Sequence, residues 1–543
     1  MPLRSNVSTA ESKETFENDI HSEGVVSSAG GVAWSVWDGL VIGALALVAL
    51  LFRVPYLSSR SIWYDESCSW QTSQFSYFGI VEALCRDVHM PLYYFLLKAW
   101  MSVVGDSAFA LRGLSIFLGI VTVVAMYGVA KECCRILNAV VDADDWWYLP
   151  VATGILIAVS AFQINASIEA RMYGLGTALS ALSAWALLRI ITDPRQIGPW
   201  IAWVSLCIML TYTHHHCLFM VASQFLVLMG AWTFQNDGIV EPKLKLSHSL
   251  LAGLIILLAY LPGAMMLWIQ IRRVRQNYWT EPLSFELVNR TFAEFVSPLM
   301  RDSRFEAWVG GLCLGVLITS AIIVLIRPRL PGMVAMTLGG LPLMAAGAVT
   351  IAITPVWEGR FFRFPQIFLC LLIAIAIFKL TRRARDRVIL TALLVTGVSV
   401  ASGSFWLERE IDQRPGMKGV IENIVSRGEP ETLIVSTSNI HCYPAKYYAP
   451  ESVKVRIFRS ATDEFWGDYV IRENDIISDE EIQQAANRGF WVLSHSPIPD
   501  NAEELRGFVV DEEFREHYDI GVPDWEIYAS RVRKLSVPMD QTH

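Results

Sequence analysis

The sequence predicts a mainly α protein: a polytopic transmembrane helical bundle of about eleven spans, followed by a soluble C-terminal α/β domain. Three observations predict it. The 543 residues are 53% hydrophobic and only 18% charged, where a soluble globular chain carries about 25% charge. The apolar residues fall in runs that approach the ~20 needed to cross a bilayer. The net charge of −8 is unevenly placed. From Glu408 onward there are 26 acidic and 15 basic residues, a tail of −11, and the rest of the chain carries +3. A membrane body with an acidic soluble tail follows. Nothing in this balance points to nucleic acid.

Candidate spans cover 37–55, 107–130, 147–166, 172–191, 199–213, 215–234, 249–270, 306–326, 332–354, 361–379 and 388–407. Residues 89–104 are apolar but interrupted and read as an interfacial helix in the first long loop. The first 36 residues are polar, with no basic stretch before an apolar core, so a disordered cytoplasmic tail is expected rather than a cleaved signal. With the amino terminus inside, each short inner loop is basic: Lys131 and Arg135, Arg189 and Arg195, Lys243 and Lys245, Arg327 and Arg329, then Lys379 to Arg387. A miscounted span would invert this pattern. Segments 56–106 and 271–305 then face outward, as does the tail after 407. The expected organisation is a tail to 36, a transmembrane catalytic domain over 37–407 and an extracytoplasmic domain over 408–543.

In the tail, 432–436, 490–494 and 526–530 read as strands, and 415–427 and 478–488 as helices. The nine cysteines show no metal-type spacing. Cys68 and Cys85 share one loop, and pairing or two free thiols are both open.

Four segments carry chemistry, and all fall on the predicted outer face. Ser61-Ile-Trp-Tyr-Asp-Glu-Ser67 sets two carboxylates among aromatics just beyond the first span. A carboxylate near a low-dielectric surface gains basicity, which suits a general base; a solvated loop pair is the plainer alternative. Asp87-Val-His-Met-Pro-Leu-Tyr-Tyr94 places His89 before a helix, as ligand, phosphate binder or cap. Glu169 and Arg171 lie in an outer turn, where an ionisable residue suggests function and a mutual ion pair is the alternative. Thr211-Tyr-Thr-His-His-His-Cys217 holds three histidines, of which two at most could face one site. Arg272, Arg273 and Arg275 break the charge rule on the outer side and suggest an anionic ligand such as a lipid phosphate, although long loops translocate regardless of charge.

Taken together, Trp63-Tyr-Asp-Glu66, Asp87 to Tyr94, Glu169-Ala-Arg-Met-Tyr173, Tyr212-Thr-His214 and Gly105 to Arg112 resemble the GT-C glycosyltransferases over residues 37–400. The nearest group is the bacterial branch of the protein O-mannosyltransferase and lipid A aminoarabinose transferase superfamily. The resemblance implies sugar transfer from a polyprenyl-phosphate donor to a lipid, glycan or protein acceptor on the extracytoplasmic face, in a bacterial cytoplasmic membrane. It implies Asp65 as base, Glu66 in support and Glu169 at the acceptor site. It offers His89, Tyr93, Arg171, His214, His215 and Arg360 as substrate or phosphate binders; Arg272, Arg273 and Arg275 join them on the charge argument alone. A divalent metal ion is left open, with His89 and His215 as ligand candidates. The chain departs from the family in His89-Met90-Pro91, where many relatives have His-Pro-Pro, and in Glu358-Gly-Arg-Phe-Phe-Arg363, where many have Arg-Tyr. The alternative reading is a transporter or flippase, which would favour paired broken helices; no paired repeat is visible.

Overall fold

The computed structural model describes residues 34–55, 57, 60–138, 147–233, 243–274, 280–298, 303–411, 416–427, 432–463, 467–497, 505, 508–517 and 526–534. The expected disordered tail therefore lies almost wholly outside the described residues.

The chain begins with α1 (Val36–Leu51), started by a Ser35–Asp38 capping box. The first long loop holds α2 (Tyr64–Ser73), α3 (Tyr77–Cys85) and α4 (Leu92–Val104). The bundle continues with α5 (Ala108–Asn138), α6 (Tyr148–Val159), α7 (Ala161–Ser167), α8 (Tyr173–Thr192), α9 (Ile197–Thr211), α10 (Cys217–Thr233) and α11 (Leu246–Val274). After the short α12 (Phe285–Glu294) come α13 (Ser303–Ile326), α14 (Leu330–Ala352), α15 (Arg363–Leu380) and α16 (Ala384–Ile411).

All eleven expected spans fall on helices. Among the described residues, seven helices are long and apolar enough to cross a membrane, or eight counting α6 and α7, which bend by 64° at Ser160. The other three expected spans fall on α1, α9 and α10, with 16, 15 and 17 residues, short of ~20. The difference arises because apolar windows such as 37–55 and 215–234 run on into caps and turns.

Burial sorts the helices. In α8, 83% of the apolar window is inside the protein, against 22% in α11 and 17% in α16. Helix α8 is thus central and the other two are peripheral. Its Gly176 has no side chain because the Phe364 ring of α15 occupies the space; an added Cβ would lie 2.3 Å from it. At the end away from the first loop, Asp38 of α1 pairs with Lys131 of α5 at 2.5 Å and accepts from the Tyr127 hydroxyl at 2.7 Å.

The C-terminal segment contains α17 (Gly416–Ser426), α18 (Asn439–Tyr448) and α19 (Asp479–Ala486) around a five-stranded sheet. The strands are β1 (Leu433–Ser436), β2 (Lys454–Ile457), β3 (Phe490–Ser494), β4 (Phe508–His517) and β5 (Glu526–Lys534), in the order β2-β1-β3-β5-β4. β2, β1 and β3 are parallel; β5 and β4 are antiparallel additions. β1 and β3 are buried throughout and carry the core, with Ile434, Val435, Trp491 and Val492. This segment rests on the first loop: Tyr443, Tyr469 and Val470 share one buried cluster with Cys68, Leu84, Met90 and Tyr94. Cys68 and Cys85 are both free thiols.

Candidate active site

Asp65 and Glu66 occupy the first turn of α2, where the helix N-terminus favours negative charge. Successive helical residues point about 100° apart, so the two carboxylates serve different neighbours.

Glu66 points inward and its side chain is fully buried. Arg112 of α5 grips it with two bonds, Nε to Oε1 at 2.8 Å and Nη2 to Oε2 at 2.6 Å. The Ala170 N–H donates to Oε1 at 3.0 Å. Arg112 also donates to the carbonyls of Leu57, Arg60 (3.1 Å) and Ser61 (3.0 Å). Burial pushes the Glu66 carboxyl up, but the Arg112 charge and the hydrogen bonds outweigh it and hold the group below the usual carboxylate range. Glu66 therefore locks together α2, α5 and the 168–172 turn, and it presents no free face for chemistry.

Asp65 points the other way, with 20% of its side chain exposed. Its carboxylate faces Arg171 at 3.5 Å and Arg360 at 3.7 Å. Both separations exceed those of a close charge-assisted bond, so the Asp65 oxygens remain available to an incoming group. Arg171 is nearly buried; its Nη1 donates to the Asp65 carbonyl at 3.2 Å and its Nη2 lies 2.8 Å from His89 Nε2.

A guanidinium can only donate, so His89 Nε2 is the acceptor and the imidazole proton sits on Nδ1, 2.5 Å from Asp87 Oδ2. Burial raises the Asp87 carboxyl; His89, its hydrogen bond and the Arg171 charge more than offset this and leave it low. The ordered series is Asp87, His89, Arg171, Asp65, Arg360, then Glu358 at 3.2 Å from Arg360.

Glu169 stands beside this series, with Arg363 at 3.4 Å. The Arg363 guanidinium lies over the Tyr173 ring at 4.4 Å, and its carbonyl accepts from Gln163 at 2.9 Å. Three arginines from two parts of the chain, Arg171 and the Arg360–Arg363 segment, thus surround two carboxylates. A further carboxyl, Glu294 at the end of α12, lies against Gly359; a Cβ there would be 2.0 Å from its Oε2. Burial, and then the neighbouring Glu358, push Glu294 up to about 7.

The three histidines behave differently from cations. His214 packs against Phe361 (4.7 Å), Phe364 (5.5 Å) and Tyr173 (6.1 Å). His215 Nε2 meets Gln270 Oε1 at 2.8 Å, and the Gln270 amide donates to the carbonyls of Leu84 and His89. His216 Nε2 donates to the Val356 carbonyl at 2.9 Å. Burial drives His214 well below the ordinary imidazole value, His215 to about 4 and His216 to about 3. All three are neutral at pH 7, so they shape the site without supplying charge.

No family model matches the chain, and no curated protein sequence does. Solved structures do. ArnT from Cupriavidus metallidurans, solved with undecaprenyl phosphate bound, is similar with a TM-score of 0.59 at 11% identity, over 92% of this chain and 98% of that one. The apo structure of the same protein gives 0.57 at 11% identity, over 91% and 97%. This chain has the GT-C glycosyltransferase fold.

Of the residues expected from sequence, the GT-C fold brings together Asp65, His89, Glu169, Arg171 and Arg360, with His214 and His215 behind them. Tyr93 is fully buried, edge-on to Tyr94 at 5.8 Å. Arg272 and Arg273 do not join the site. Arg272 is exposed and stacks on Trp268 at 3.5 Å, and Arg273 pairs with Asp468 of the C-terminal segment. Arg275 lies outside the described residues. Among the described residues no group of three His, Cys, Asp or Glu could hold a metal ion. His89 turns its two ring nitrogens to Asp87 and Arg171, and His215 turns Nε2 to Gln270. Arg112, Asp87 and Arg363 stood inside motifs already singled out, and only their partners were invisible. Glu294 had no sequence signal: it ends a short polar helix like many others.

Proposed function

We propose that this protein is a membrane glycosyltransferase that moves a sugar from a polyprenyl-phosphate donor to an acceptor on the extracytoplasmic face by inverting single displacement. The observation that carries the reading is the contrast between the two adjacent carboxylates. Glu66 is gripped at 2.6 Å and closed, while Asp65 is loosely held at 3.5 and 3.7 Å by two arginines.

Asp65 takes the proton from an acceptor O–H or N–H. The freed electron pair forms the bond to the anomeric carbon from one face. The bond from that carbon to the phosphate oxygen breaks on the other, and polyprenyl phosphate leaves with its electron pair. Arg171, Arg360 and Arg363 supply preorganised positive charge for the departing phosphate, and such stabilisation is usually the largest catalytic term. Glu169, held by Arg363, sits where an acceptor hydroxyl can be oriented. The neighbour ArnT binds undecaprenyl phosphate, a carrier of the proposed class. The basic short loops support an inner-membrane orientation with the C-terminal domain outside, on the same side as Asp65.

The test is transfer by the purified protein in vesicles, supplied with a fluorescent polyprenyl-phosphate sugar and an extract of envelope acceptors. Labelled acceptor is expected. Movement of the lipid between leaflets with no transfer would overturn the reading in favour of a flippase.

A further inference from the structure

Helix α2 begins without a side-chain cap: Trp63 provides no bond to the first turn. The first amides of a helix need partners from somewhere, and the direction of entry sets where Asp65, its second residue, points. The stretch 61–63, extended at Trp63, fixes this entry and is held by the C-terminal segment. The Ile62 N–H donates to the Tyr448 hydroxyl at 2.6 Å. The Lys418 N–H donates to Ser61 Oγ at 3.2 Å. The Tyr64 ring stacks on Tyr443 with centroids 6.3 Å apart. Tyr443 in turn donates to the Gly467 carbonyl at 2.6 Å.

Gly467 has φ +80°, in the left-handed region, and a Cβ there would stand 2.2 Å from the Tyr64 hydroxyl. Glycine is required on both counts. Tyr443 and Tyr447 share one face of α18 by their i,i+4 spacing, and Tyr447 donates to the Asp106 carbonyl at 2.8 Å while meeting Trp70 edge-on at 5.3 Å. From the other side, Arg112 holds the Ser61 carbonyl.

We propose that Tyr448, Tyr443 and Gly467 are positioning residues for Asp65, so that the C-terminal domain is a working part of the active site and not a separately displayed module. The proposal rests on the reading of Asp65 as base. A displacement of about 1 Å at a reacting group costs on the order of 10²-fold in rate, and a loosened helix entry yields a fraction of that. Tyr448→Phe keeps the ring and removes only the hydroxyl, which accepts from Ile62 and also meets the Ser61 side chain. It is expected to lower kcat roughly tenfold with the KM for the lipid donor unchanged, because Arg360 and Arg363 are carried by a different part of the chain. Gly467→Ala is expected to lower it further.

A second readout is independent of turnover. In an Asp65→Cys background, the rate of labelling by a charged methanethiosulfonate is measured with and without Tyr448→Phe, at matched thermal stability. A severalfold change in that rate is expected. An unchanged labelling rate together with unchanged kcat would overturn the proposal. A changed labelling rate in a protein that performs no transfer even with Asp65 intact would leave the positioning in place and sink the catalytic reading instead.

Discussion

Replacing Glu66 with glutamine preserves its shape and removes its charge, which makes the consequence calculable. Arg112 then retains the carbonyls of Leu57, Arg60 and Ser61 but has no anion in a site that excludes water. Breaking a buried ion pair from one side costs about 3–5 kcal/mol, because the other charge is left uncompensated. Replacing both members with apolar residues of similar volume is close to neutral. The expected order in detergent or nanodiscs is therefore wild type, then Glu66→Met/Arg112→Met, then either single variant at the bottom, with a coupling of at least ~2 kcal/mol. Chemical denaturation followed by tryptophan fluorescence reads the order. Transfer activity should fall in Glu66→Gln as well, because Ala170 ties this carboxylate to the turn that carries Glu169 and Arg171. A Glu66→Gln protein as stable as wild type, or single effects that simply add, would refute the locking role.

Other expectations follow from the same geometry. Arg363→Met should weaken turnover by roughly 10²-fold, the scale for losing one preorganised stabilising group, whereas Arg272→Ala should change it less than about twofold, a surface effect; equal losses would contradict the assignment of the site charges. His215 is depressed to about 4 from 6.5, so its contribution is complete above pH 6.5 and is lost as pH falls toward 4, when the unfolded chain binds the extra proton. Glu294 runs the opposite way: raised from 4.5 to about 7, its contribution is complete below pH 4.5 and is lost as pH rises through 7. His215→Asn should flatten the acid limb of a stability profile and Glu294→Gln the neutral limb; unchanged limbs would remove these groups from the account.

The sequence made the bundle legible because length and apolarity act locally: each long run had to become a helix. It made β1 and β3 legible for the same reason, since they are buried and apolar, and the start of β5 through its alternating burial. It hid both edge strands: β2, whose Lys454-Val-Arg-Ile457 is half charged, and β4, which carries Asp511, Glu512, Glu513 and Arg515. It also hid α18, in which Pro444 interrupts the helical pattern. In the site, the residues that announced themselves were charges at span ends. Their partners could not be read, because pairing is a property of the fold. Arg273 looked like part of a phosphate cluster by local count, yet its counter-ion Asp468 lies 195 residues away in sequence. The adjacent carboxylates Asp65 and Glu66 looked alike in sequence; the helical turn between them separates the open group from the locked one.

The most direct test of the central claim is transfer by the Asp65→Asn variant in reconstituted vesicles, with binding of the polyprenyl-phosphate donor measured in parallel. The donor is expected still to bind, held by Arg171, Arg360 and Arg363, while sugar transfer is lost. Sustained transfer by that variant would contradict that claim.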